Sequence, residues 1–231
     1  MKFGVVIFPG SNCDHDALYA LESNLGQKSV PIWHQSEDLQ GCDAIVLPGG
    51  FSYGDYLRCG AIAHFSPVMG AIKRFADGGG LVIGICNGFQ VLTEARLLPG
   101  ALVRNASLHF ACKTVLLEAA TKDSPFTSEC PDRPIAIPIA HGEGSYQADE
   151  QTLDALEREG RVAFRYVDAS GAATPEANPN GSARNIAGVL SEGRNVLGMM
   201  PHPERAADPA LGLTDGRFIF ESMIGALSLA R

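Results

Sequence analysis

Short apolar runs closed by turn residues recur along the first half of the chain. Residues 3–8, 30–33, Ala44–Leu47 and Leu81–Ile85 are almost wholly apolar, without polar alternation. Runs of this kind read as strands buried on both faces, the habit of a parallel sheet. Stretches of helical period lie between them. Ala17, Leu18, Leu21 and Leu25 form an apolar stripe that stops at Gly26, a residue suited to the left-handed end of a helix. Residues 67–76 carry Val68, Ile72 and Phe75 on one side before Asp77-Gly78-Gly79-Gly80 ends them, and a further helix is predicted over 89–97. This β-α-β-α rhythm predicts an α/β fold, an open, doubly wound, mostly parallel sheet.

The second half changes character. Residues 113–117, 135–140, Val162–Val167, 187–190 and 196–200 read as strands, several of them antiparallel. One amphipathic helix is predicted over 150–159. A last helix over 216–229 is apolar nearly all round and is expected to be buried. Asn178-Pro179-Asn180-Gly181-Ser182 marks a turn. No repeat or linker-like stretch interrupts the chain, so residues 1–231 are expected to form one domain.

Composition narrows the function. A 45% hydrophobic content in 231 residues is enough for a large core. The net charge of −8 and the lack of any basic stripe argue against nucleic acid or an anionic membrane as partner. The apolar start breaks at Pro9-Gly10, too early for an export signal, and reads better as a first buried strand. None of the six cysteines forms a C-x-x-C pair, so no metal site is expected. A chain with a good core and no export signal is expected to be cytoplasmic, with reduced thiols.

The chemistry gathers at Gly84-Ile85-Cys86-Asn87-Gly88, directly after an apolar run. A reactive side chain with glycine two residues away on each side, between strand and helix, has the form of a nucleophile elbow. Larger flanking residues would collide with the tight backbone. The elbow sets Cys86 at a helix N-terminus, where the dipole favours the ionised thiol. Pro201-His202-Pro203-Glu204 supplies a base and a group to orient it. Pro203 biases His202 toward an extended backbone, and in an extended segment positions two apart share a side. Cys86, His202 and Glu204 therefore read as a triad able to form and hydrolyse a thioester.

An oxyanion needs two donors. The backbone N–H of Asn87 is one, and the loop Pro48-Gly49-Gly50-Phe51 after a strand offers the second at Gly50. Cys13, after Pro9-Gly10-Ser11-Asn12, is a rival nucleophile without the second glycine. His141, in Ala140-His141-Gly142-Glu143-Gly144, sits at a strand-to-loop corner and reads equally as a substrate contact or a structural group. His15, His34, His64 and His109 read as surface or packing residues. No phosphate-binding G-x-x-x-x-G-K-[ST] and no dinucleotide fingerprint is present, so any ATP-driven step needs another polypeptide.

Gly84-Ile85-Cys86-Asn87-Gly88-Phe89-Gln90, Pro48-Gly49-Gly50 and His202-Pro203-Glu204 together resemble the class I glutamine amidotransferases. The segments 8–14, 49–58, 141–144, 179–182 and 199–205 are similar to those of the glutaminase subunits that serve purine biosynthesis. The resemblance implies a flavodoxin-like sheet with added antiparallel strands. It implies that Cys86 attacks the amide carbon of L-glutamine, with His202 as acid and base and Glu204 orienting it. It implies that Gly50 and Asn87 stabilise the oxyanion, and that Gln90, His141 and Gly142 help hold glutamine. It also implies no cofactor in this chain, a large synthetase subunit carrying ATP, Mg²⁺ and formylglycinamide ribonucleotide, and a small third subunit. The chain would be free-standing, its loop 54–60 would lie near the opening toward the synthetase, and its site would close on assembly. An amidotransferase of another pathway, a stand-alone cysteine hydrolase and a non-catalytic glutamine-binding subunit remain as alternatives.

Overall fold

The computed structural model describes residues 1–229. One nine-stranded sheet spans the described chain. Strands β1 (Lys2–Ile7), β2 (Lys28–Trp33), β3 (Ala44–Leu47) and β4 (Leu81–Ile85) come from the first half. The second half adds β6 (Ala111–Ala119), β7 (Ile135–His141), β9 (Val162–Val167), β10 (Ile186–Leu190) and β11 (Val196–Met199). Their spatial order is β2-β1-β3-β4-β11-β10-β9-β6-β7. The first five are mutually parallel, and each later pair is antiparallel. The parallel part has the flavodoxin-like order, with the chain reversing direction across β1 and β3.

Helices α1 (Asp14–Tyr19), α2 (Pro67–Asp77) and α3 (Asn87–Glu94) alternate with the parallel strands, and α4 (Glu150–Arg158) and α5 (Arg217–Leu229) serve the second half. The expected α4 starts where Asp149 accepts the Thr152 N–H at 2.7 Å, an N-cap placed just before an apolar face. The centre of the sheet is fully buried along β3, β4, β10 and β11. Each of the six cysteines is a free thiol. No helix among the described residues is long and apolar enough to cross a membrane.

Several expectations are corrected. Residues 30–33 are not buried on both faces: β2 is an edge strand, and Trp33 is 49% exposed. The stripe 17–25 is not one α-helix, because α1 passes into a wider π turn over Ala20–Asn24. The helix predicted over 89–97 begins at Asn87 and ends at Glu94, since the elbow itself makes the first turn. Helix α5 buries one face only, through Ile219, Phe220, Ser222 and Met223, and Leu229 at its end is 91% exposed. Phe218, Ile224, Ala226 and Leu227 pack against the core but stay only partly buried. A short ladder between β5 (Ala101–Val103) and β8 (Ser145–Gln147) carries no apolar run long enough to announce it.

The antiparallel half curls back on the parallel half. Strand β7 ends the strand order, yet its Pro138 carbonyl accepts the N–H of His202, just beyond β11, at 2.8 Å. That return brings the end of β7 over the carboxyl ends of β1, β3, β4 and β11.

Candidate active site

The elbow forms because two glycines vacate space. A Cβ on Gly88 would collide with the Leu47 carbonyl, and one on Gly84 would lie 2.7 Å from the Gly88 backbone. Strand and helix therefore close on each other as only glycine allows. Cys86 takes φ 51° and ψ −106°, a conformation strained for a residue with a side chain. Its N–H donates to the Met199 carbonyl at 2.8 Å, and its carbonyl accepts the N–H groups of Phe89 and Gln90 at 3.0 and 3.2 Å. The residue is 6% exposed, and its Sγ lies 3.8 Å from the Ala140 carbonyl.

His202, just beyond β11, takes φ −102° and ψ 88°, just short of the extended backbone expected there. The following residues do not stay extended. Pro203 opens a 3₁₀ turn over Pro203–Ala206, a first-turn position that costs proline nothing. Glu204 nonetheless reaches back, and its Oε1 lies 2.6 Å from His202 Nδ1. Both side chains are 1% exposed. Burial works against a charge on His202, but the Glu204 carboxylate and the Cys86 sulfur outweigh it and push the imidazole up to about 10. Nε2, the other ring nitrogen, has no hydrogen-bond partner among the described residues.

The glycine loop lies over both groups. A Cβ on Gly49 would sit 2.7 Å from His202 Cε1 and 3.4 Å from Cys86 Cβ, so the bare backbone at this position admits the imidazole. Gly50 has φ +130° and pairs with Ser11 in an isolated bridge. The side chain of Asn87 secures the rest of the loop. It accepts the Ser52 N–H at 3.2 Å and donates to Asp55 at 3.3 Å and to Gln90 Oε1 at 2.9 Å.

A cavity of about 190 Å³ joins these parts, lined among others by Gly50, Cys86, Gln90, His141, Gly142 and His202. Gln90 holds the far wall by donating to the Glu143 carbonyl at 2.6 Å. His141 is pinned between Asn105 Oδ1 at 3.1 Å and Asn180 Nδ2 at 3.4 Å. Burial and the neighbouring His202 push it down to about 4, leaving it neutral. Gly142 is fixed through its carbonyl, which accepts the Asn105 N–H at 2.9 Å. All residues expected at the site thus converge on it.

Other residues join them unannounced. Cys13, expected as a rival, stands beside the triad instead of apart from it, with Arg205 Nη2 at 3.0 Å from its sulfur. Sγ of Cys13, a His202 nitrogen and a Glu204 oxygen lie within 4.8 Å of one another. Asp55, Cys59 and Glu143 line the opposite wall. Burial raises the Asp55 carboxyl and, together with the Asp55 side chain, holds the Cys59 thiol well above its ordinary range. The only signal for these residues was their place in segments already singled out. Among the remaining histidines, His34 is a buried post for Tyr53, whose hydroxyl lies 2.8 Å from its Nδ1. His15 and His109 are exposed and His64 is half-buried.

A buried thiol on an elbow, an imidazole–carboxylate pair and a glycine loop thus meet at the carboxyl ends of parallel strands, where open α/β sheets hold their ligands. The family model of the CobB/CobQ-like glutamine amidotransferase domain matches residues 1–211, and the chain belongs to this family. Within it, the chain is 60% identical over 229 residues to the phosphoribosylformylglycinamidine synthase subunit PurQ of Koribacter versatilis, covering 99% of each. It is 58% identical to the protein of that name from Gloeobacter violaceus, covering 98% of each. Among solved structures, that of PurLQS from Thermotoga maritima matches with a TM-score of 0.86 at 43% identity, covering 98% of both chains.

Proposed function

We propose that this chain is the glutaminase subunit of phosphoribosylformylglycinamidine synthase, acting as one amidotransferase domain. Support comes from full-length similarity to curated subunits of that name and from one observation at the site. His202 is locked to Glu204 at 2.6 Å through Nδ1, while its Nε2 is left unbonded beside the elbow cysteine.

Cys86 passes its proton to His202, its Sγ attacks the side-chain amide carbon of L-glutamine, and the carbonyl electrons move onto oxygen. The N–H groups of Gly50 and Asn87 receive that oxyanion. The C–N bond then breaks as imidazolium His202 gives its proton to the departing ammonia, leaving a thioester. His202, now neutral, takes a proton from water, which attacks the thioester to release glutamate and the thiol. Glu204 holds the ring in one orientation and offsets its positive charge. Gln90, His141 and Gly142 shape the wall against which the amino acid lies.

Ammonia becomes protonated in neutral water and is then no nucleophile, so its consumer must adjoin the site. A large synthetase subunit binding ATP, Mg²⁺ and formylglycinamide ribonucleotide receives it, with a small third subunit in the assembly. The chain works in the cytoplasm and holds no cofactor of its own.

The test is glutamate release from glutamine by the chain with and without the synthetase, coupled to formylglycinamidine ribonucleotide formation. Cys86→Ala abolishing both reactions supports the reading. Coupled turnover with a different acceptor, or robust hydrolysis of another amide by the isolated chain, overturns it.

A further inference from the structure

The cavity wall beyond Ala140 is built of His141, Gly142 and Glu143, and one buried side chain ties it together. Asn105 is 0% exposed, on the segment after β5. Its Nδ2 donates to the carbonyls of His141 and His109, each at 2.9 Å. Its Oδ1 accepts the Gly144 N–H at 3.0 Å and faces His141 Nδ1 at 3.1 Å. Its own N–H donates to the Gly142 carbonyl at 2.9 Å. Glu143, between these anchored residues, offers the carbonyl that accepts Gln90 Nε2 at 2.6 Å.

These bonds fix where the His141 proton sits. The Asn105 amide cannot be turned round, because its NH₂ would then confront the Gly144 N–H and its oxygen two carbonyls. Oδ1 only accepts, so His141 Nδ1 carries a hydrogen. The other ring nitrogen faces Asn180 Nδ2 at 3.4 Å. That amide is oriented too, since Nδ2 donates to the Gly144 carbonyl at 2.8 Å while Oδ1 accepts the Ser182 N–H at 3.1 Å. An amide nitrogen only donates, so His141 Nε2 is bare. The thiols of Cys13, Cys59 and Cys86, the carboxyls of Asp55 and Glu143, and His202 and Arg205 share the cavity, and the Tyr166 hydroxyl lies 3.3 Å from Asn180 Nδ2. Burial and His202 disfavour a charge on His141, in agreement with the geometry.

We propose that Asn105 is a positioning residue for glutamine, locking His141 as the neutral Nδ1–H tautomer and holding residues 141–144 in the shape that glutamine and Gln90 meet. This inference rests on the glutaminase reading of Cys86, His202 and Glu204. Both nitrogens of the His141 ring are taken by asparagines, so His141 gives the substrate a surface and a fixed backbone instead of a ring hydrogen bond. A bare Nε2 also keeps a second positive charge away from imidazolium His202.

Nitrogen NMR of the full chain labelled at histidine tests this, with the His141 signals assigned by their absence from His141→Gln. The wild type should show a protonated Nδ1 and a bare Nε2, unchanged over roughly pH 5 to 8. A proton on Nε2, or a titration within that range, would overturn the inference. Asn105→Asp keeps both acceptor bonds but sets a carboxylate against Nδ1, and should bring a His141 titration into the range. A His141 still silent in that variant would overturn it as well. In glutamine hydrolysis by the complex with the synthetase, Asn105→Ala should raise KM about tenfold and change kcat less than about threefold, because the wall holds the amino acid alike in ground and transition states. Wild-type KM, or a loss confined to kcat, would overturn the positioning role. If Asn105→Ala melts too low to assay, Asn105→Ser, shortened but still polar, takes its place. Failure of the underlying reading shows separately, as a wild-type complex that makes no glutamate from glutamine while the His141 spectrum is as expected.

Discussion

His202 and Glu204 are two residues apart, both buried, and joined Nδ1 to Oε1 at 2.6 Å. The imidazole is pushed up to about 10, well above its ordinary value. A group whose pKa is higher folded than unfolded stabilises the fold fully below its unfolded pKa and loses that contribution as pH rises through the folded one. The His202 contribution therefore drains away between about pH 6.5 and 10. Denaturant midpoints should fall across this window in the wild type, and the fall should be shallower in Glu204→Gln. An equal slope in both would place the pH dependence elsewhere.

On the proposed mechanism the same pair also governs turnover. Glu204→Gln keeps the shape but removes the charge, so glutamine turnover in the complex should fall by at least about 10²-fold, mostly in kcat. Steady-state kinetics checks this, and a KM effect alone would contradict the assigned role.

Gly49 leaves the space His202 fills. A Cβ there would sit 2.7 Å from His202 Cε1. Gly49→Ala should displace the ring and cost about 10²-fold in kcat, with a melting temperature near that of the wild type. Kinetics beside calorimetry separates the two effects.

The elbow glycines carry stability as well as chemistry. Gly88→Ala drives a methyl group into the Leu47 carbonyl and should cost about 3 kcal/mol or more. Gly70→Ala, on the exposed face of helix α2 with only Arg74 Nη1 at 3.6 Å, should instead stabilise by about 0.5–1 kcal/mol. Urea unfolding of the two variants measures both signs.

The thiols should sort by environment. Cys112 is exposed, whereas Cys13 and Cys130 are buried and pushed up to about 12. Iodoacetamide on the native chain should modify Cys112 first, and Cys13 and Cys130 only after unfolding. A glutamine-like electrophile should mark Cys86. Peptide mass spectrometry reads all of these, and label on Cys13 in the native complex would undo the site assignment.

The parallel half of the fold was legible because its strands are short apolar runs whose burial on both faces leaves no polar alternation. The error at 30–33 has the same root. An edge strand next to a buried one can be nearly as apolar, and strand order is not written in local sequence. Helix α5 misled likewise, since small and apolar residues make a uniform stripe whether or not a partner covers it. The short β5–β8 ladder lacks any periodic signal.

Local sequence by itself determined the elbow, because Gly84 and Gly88 are the only side-chain choice that lets strand and helix meet so closely around Cys86. It also determined the spacing of His202 and Glu204, two residues apart on one rigid proline-bounded segment. The tertiary structure alone decided that β7 curls back to hold the His202 backbone through Pro138. It alone brought Cys13 and Arg205 together behind Glu204, although one follows β1 and the other β11. Steric demands within a few residues are fixed by the residues themselves. Contacts between distant segments depend on how nine strands twist and stack, and that is set by the packing of the whole core.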